Sequence, residues 1–163
     1  MNKLTKTIAL VALVATVTLG VIFSGQLKTA VAHCQVPCGI YDDEGRIKQL
    51  QEDSVTIAKA IKMINELAGK TDATSVNQMV RWVQTKEQHA SHIITVVAEY
   101  YLTQKVKVVA STDAAYPAYL GKLARHHGVM AAAMKTKQKP TAASANALDA
   151  AIHELSHDYG HHH

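Results

Sequence analysis

Residues 46–69 read RIKQLQEDSVTIAKAIKMINELAG, and their spacing decides the fold. Ile47, Leu50, Ser54, Ile57, Ile61, Ile64 and Ala68 recur at alternating steps of three and four. That repeat lines up one stripe of an α-helix and fits no strand, whose side chains alternate with a period of two. Gly69 is placed to end the helix in a left-handed turn. The spacing therefore predicts a long amphipathic helix from residue 46 to about residue 68.

The same period continues downstream. A polar connector follows Gly69, with Ser75 and Gln78 spaced as a capping box. A second helix is expected over 76–105, burying Val76, Met79, Val80, Val83, Ala90, Ile94, Val97 and Tyr101. Residues 107–113 read as a connector, although Val106, Val108 and Val109 would also suit a short strand. A third helix is expected over 114–135, with Tyr116, Tyr119, Leu120, Leu123, His127, Met130 and Met134 inward. Pro140 interrupts the pattern, and a fourth helix carries Leu148, Ile152 and Leu155. Four amphipathic helices with short connections over 46–160 predict an all-α, up-down four-helix bundle. Hydrophobic residues make up 48% of the chain and aromatics 5%, a balance that favours aliphatic helix packing over a β-sandwich.

Upstream of the bundle the period disappears. Residues 33–45, HCQVPCGIYDDEG, are punctuated by Pro37, Gly39 and Gly45 and read as an irregular hook. Before them, Lys3 and Lys6 precede an uncharged apolar run over 8–23, a polar stretch, and Ala30-Val31-Ala32. This is the order of a secretory signal, with a small-x-small cleavage site. A retained anchor is the competing reading, but the run is short for a span of about 20 apolar residues. Cleavage after Ala32 makes 1–32 a removed signal peptide and exposes His33 as a new N-terminus. The formal charge of +4 then falls by Lys3, Lys6 and Lys28 to +1, and no basic cluster with interleaved aromatics remains. Nucleic acid is not expected as a partner, and a membrane is expected only transiently, during export. Residues 161–163 are a tail, either native or a tag remnant.

The chemistry is concentrated in the hook. A free His33 offers an α-amine and an imidazole, Cys34 and Cys38 offer soft thiolates, and the amide between His33 and Cys34 can lose its proton to a late metal. Amine, amide and two thiolates make a square-planar set suited to Ni(II), and the imidazole as a fifth donor suits Ni(III). Read without the metal, Cys34 and Cys38 in an oxidising compartment could form a disulfide, and an anchored C-x3-C protein could carry copper or exchange thiols.

His33-Cys34-Gln35-Val36-Pro37-Cys38-Gly39-Ile40-Tyr41 resembles the hook of nickel-containing superoxide dismutases, H-C-x-x-P-C-G-x-Y, at every fixed position. The likeness extends more loosely to Arg81-Trp82 and to Lys86-Glu87-Gln88-His89-Ala90. It implies a nickel ion in each subunit, held by His33, Cys34 and Cys38, and disproportionation of the superoxide anion to oxygen and hydrogen peroxide. It makes Tyr41 the residue that stands over the open metal face to position substrate or water. It implies a homohexamer, and export implies a periplasmic or extracellular site of action. Family members orient the axial imidazole with a Glu early in the first helix and an Arg in the second. Here those places fall on Lys48 or Gln49, and on His89 or Arg81.

Three other features have blander readings. His153 and His157 stand at i, i+4, a spacing that can bind zinc, but no HExxH accompanies them and surface histidines are expected. Met130 and Met134 are expected in the core. Tyr100 and Tyr101 are expected at a helix or subunit interface.

Overall fold

The computed structural model describes residues 42–159. Its first helix, α1 (Asp43–Leu67), begins where the Asp42 carboxylate accepts the Glu44 N–H at 3.0 Å. The cap satisfies a donor left open by the first turn, and Asp43 and Glu44 add negative charge at the positive end of the helix. The start therefore lies ahead of Arg46, because a capping carboxylate leaves no apolar signal. The other end is as expected: Gly69 adopts φ 81°, a conformation that a side chain would strain.

The second helix, α2 (Ala73–Thr95), is capped by Asp72, whose carboxylate accepts the Ser75 N–H at 2.9 Å. These hydrogen bonds hold the Asp72 carboxyl below its ordinary range. The expected box of Ser75 and Gln78 is not used, since Asp72 caps the chain one turn earlier. After α2 the chain continues as a π-helical segment, Val96–Lys105, rather than as the single expected α-helix. The Val106 N–H donates to the Tyr101 carbonyl at 2.9 Å, a five-residue step. The wider turn lets two sequence-adjacent pairs, Val96 with Val97 and Tyr100 with Tyr101, enter the core together. Residues 106–109 are irregular, Val108 is exposed, and no strand occurs among the described residues.

The remaining helices are α3 (Tyr116–Gln138), with Pro117 in its first turn, and α4 (Ala142–Ser156), opened by a reciprocal Thr141–Ser144 capping box. α1 packs on α2 and α4, and α3 packs on the same two helices, which closes an up-down four-helix ring. The amide of Asn65 near the end of α1 donates to the Pro140 carbonyl at 3.1 Å and ties that end to the α3–α4 connector. No described helix is long and apolar enough to cross a membrane.

The α1 stripe is buried from Ile47 to Ile61, including Leu50, Ser54 and Ile57, and Leu148, Ile152 and Leu155 meet it from α4. Two rotations differ from expectation. In the first half of α2, Val76, Val80 and Val83 are exposed; the inward line runs through Met79, Trp82 and Lys86 to Ala90 and Ile93. Buried Lys86 is satisfied by Glu87 at 2.5 Å and by the Lys137 carbonyl at 3.1 Å. Burial pushes the Glu87 carboxyl up, but Lys86 and Lys137 outweigh it and hold it below the usual range. In α3 the buried line is His126, Val129, Ala133 and Thr136, while Leu120, His127 and Met134 face outward. Met130 packs against the core as expected.

Candidate functional site

Asp53 stands on the buried stripe of α1, between Leu50 and Ile57, and is only 5% exposed. A lone carboxylate there would be strongly destabilising. α2 supplies its partners. His89 and His92, three residues apart on one helical face, each bring Nδ1 to 2.6 Å from a different oxygen of Asp53. The carboxylate accepts, so each ring donates from Nδ1 and turns Nε2 away from it. Both imidazoles are half-exposed, and with Gln49, Asp53 and Gln88 they line an open cleft of about 250 Å³. Arg46 donates to Gln49 Oε1 at 2.7 Å, which fixes how that amide points. A carboxylate behind an imidazole fixes its tautomer and orients the ring. The cleft therefore offers two oriented nitrogens and two amides to a polar group entering from outside.

A second cluster lies where α1 begins. The Tyr100 hydroxyl donates to the Asp43 carboxylate, and Tyr101 donates to the Asp43 backbone carbonyl at 2.8 Å. Lys105 pairs with Asp43 at 2.9 Å, and its ammonium lies 5.7 Å from the Tyr100 ring centre. These tyrosines pack inside a single bundle and fasten the entry of the first helix to the π-helical segment.

The expected ligands His33, Cys34 and Cys38, and Tyr41 beside them, lie outside the described residues. The positions offered for orienting the imidazole lie in different places. Gln49 and His89 share the cleft, whereas Lys48 turns away to pair with Glu44 at 2.7 Å and Arg81 is exposed. Asp53 and His92 were not anticipated. The signal for Asp53 was a carboxylate at a core position of an otherwise apolar stripe. His92 follows His89 by one turn, beside the core residues Ala90 and Ile93. His153 and His157 are exposed, with ring centres 5.0 Å apart. Among the described residues, no group of three or more His, Cys, Asp or Glu side chains is placed to hold a metal ion.

The sequence model of one protein family, described as nickel-containing superoxide dismutase, matches residues 28–163. No curated protein and no solved structure matches the chain.

Proposed function

Because the chain belongs to the nickel-containing superoxide dismutase family, an oxidoreductase family with a nickel cofactor, we propose that His33, Cys34 and Cys38 hold the metal. The family match carries this reading, since it takes in the whole HCQVPCGIY segment together with the bundle. The donor chemistry fits nickel. Two thiolates and an ionisable backbone amide place negative, soft donors on a late metal and favour its higher oxidation state. When bound, nickel supplies a Ni(II)/Ni(III) couple through which one superoxide is oxidised to dioxygen and a second is reduced to hydrogen peroxide.

The protein's own part is to present, orient and screen. Removal of residues 1–32 frees the His33 amine; with the signal attached, that nitrogen is an amide without a free lone pair. Tyr41 positions substrate or water and limits access by larger anions. The Gln49–Asp53–His89–His92 cleft orients the His33 imidazole, with Asp53 fixing the two α2 rings. Support for this comes from Gln49 and His89, one from each pair of positions that the family likeness offered, lying on one cleft.

Export places the enzyme in the periplasm or outside the cell. Assembly as a homohexamer would cover the exposed Val76, Val80 and Val83, which are unusual on a surface helix face.

Native mass spectrometry of protein recovered from its exporting host tests the reading. A chain starting at His33, with a nickel ion in each subunit of a hexamer, is the expected result. A chain retaining Met1, or a metal-free Cys34–Cys38 disulfide, would overturn it. His33→Ala should keep the bundle, by circular dichroism, and lose most turnover; Cys34→Ser and Cys38→Ser should abolish it.

A further inference from the structure

At the end of the bundle where α1 starts, four rings from three parts of the chain pack together. Tyr101, fully buried, lies with its ring centre 4.3 Å from that of Tyr159 and 5.0 Å from that of Tyr100, the latter edge-on. His126, also fully buried, stands perpendicular to Tyr159 at 5.6 Å. Its Nδ1 is 2.7 Å from the Lys122 carbonyl, and its Nε2 is 2.7 Å from the Tyr159 hydroxyl.

The proton positions follow from that geometry. A carbonyl only accepts, so His126 carries its proton on Nδ1. Burial lowers the His126 pKa, so the ring is neutral at pH 7 and Nε2 is a lone pair. The Tyr159 hydroxyl must then donate to it. Burial also raises the ionisation of the Tyr101 and Tyr159 phenols well above the ordinary tyrosine value. Losing an electron through a phenolate is thereby closed. What remains is loss of an electron together with the proton, and the proton has an acceptor already in hydrogen-bond contact. The Asp158 carboxylate, paired with Arg125 at 2.7 Å, favours the imidazolium that would form, against the Arg125 and Lys122 charges.

We propose that Tyr159 and His126 form a redox-active pair that intercepts one-electron oxidants, with Tyr101 and Tyr100 extending the path toward Asp43. In the first step the Tyr159 ring gives one electron to an oxidant of the hydroxyl-radical class, which leaves as hydroxide. The phenolic proton passes to His126 Nε2, giving a neutral tyrosyl radical and an imidazolium. In the second step superoxide reduces the radical and becomes dioxygen, while the His126 proton returns to the Tyr159 oxygen. Taken together, one hydroxyl radical and one superoxide become hydroxide and dioxygen, and the protein is unchanged. The return step uses the substrate of the family reaction and rests on that assignment; the redox competence of the pair does not.

The test is flash photolysis of the nickel-loaded chain beginning at His33, with a ruthenium(III) polypyridyl complex as the one-electron oxidant and transient absorbance as the readout. A neutral tyrosyl radical should form, more slowly in D2O than in H2O. Tyr159→Phe, which keeps the ring packing, should cut its yield several-fold while leaving dismutase activity unchanged. His126→Gln should slow its formation by about tenfold, equivalent to roughly 1.4 kcal/mol of barrier. Equal yields in the parent and Tyr159→Phe would overturn the assignment of the radical. A Tyr159 radical whose lifetime is the same with and without added superoxide would overturn the return step.

Discussion

Two histidine clusters occupy the same bundle and are built in opposite ways. His89 and His92 give Nδ1–H to a carboxylate and leave Nε2 facing an open cleft. His126 gives Nδ1–H to a backbone carbonyl and has Nε2 covered by a phenol. The first arrangement orients a nitrogen and presents it outward. The second keeps the ring neutral and spends both nitrogens within the fold. The same side chain therefore serves a site in one place and the core in the other, and the difference lies in the partner of Nδ1 and in burial. The contrast can be broken by removing the partner from each cluster in turn.

The largest effect is expected in the closed cluster. Tyr101→Ala deletes a fully buried ring that also fastens the Asp43 carbonyl, and should destabilise the chain by about 3–5 kcal/mol in urea unfolding. A loss below about 1 kcal/mol would mean that this end of the bundle is loosely packed.

The open cluster should respond in activity more than in stability. Asp53→Asn keeps the volume but can accept from only one of the two rings. Dismutase turnover should fall about 10–100-fold, with the electron paramagnetic resonance of the nickel centre altered in its nitrogen coupling. The stability cost should be about 1 kcal/mol, because both rings reach water. Loss of stability with turnover and spectrum intact would make Asp53 a core residue only.

The smallest effect is a matter of pH. His126 has a folded pKa lowered below 6.5, so the unfolded chain binds the proton more readily. The stability contributed by its neutral form is complete above about pH 6.5 and is lost as pH falls below it. Urea midpoints of the wild-type chain should therefore drop faster below pH 6.5 than those of His126→Gln. Parallel curves would show that His126 does not titrate between the two states.

Part of this organisation was legible beforehand. The α1 stripe from Ile47 to Ile61, the Gly69 stop and the Leu148–Ile152–Leu155 face of α4 lie where spacing places them, because long branched residues on one side of a helix leave little choice of rotation; Ala68, expected to complete the stripe, is exposed past the helix end. α3 was not legible in this way. Its Ala, Gly and Met residues give it apolar groups on several faces, so spacing favoured His127 while packing chose His126, whose two nitrogens both find partners. The Val76–Val80–Val83 line misled for a related reason. It is apolar and correctly spaced, but Met79, Trp82 and Lys86 set the inward face one step away. The π-helical segment had no signal in the period, since its i→i+5 bonding accompanies the burial of adjacent residues, Tyr100 with Tyr101, that a 3.6-residue period does not place on one face.

The sequence by itself determined the helical class, the connections and the family, and it carries the hook motif whole, because ligand identity and spacing are local properties of the chain. Only the tertiary structure decided that Gln49 and His89, rather than Lys48 and Arg81, share a cleft. It also joined Asp53 to two rings from the neighbouring helix and brought Tyr159 to His126. Those pairings link residues about 30 to 40 positions apart. Contacts at that separation depend on the rotation and register of packed helices, which no local spacing records.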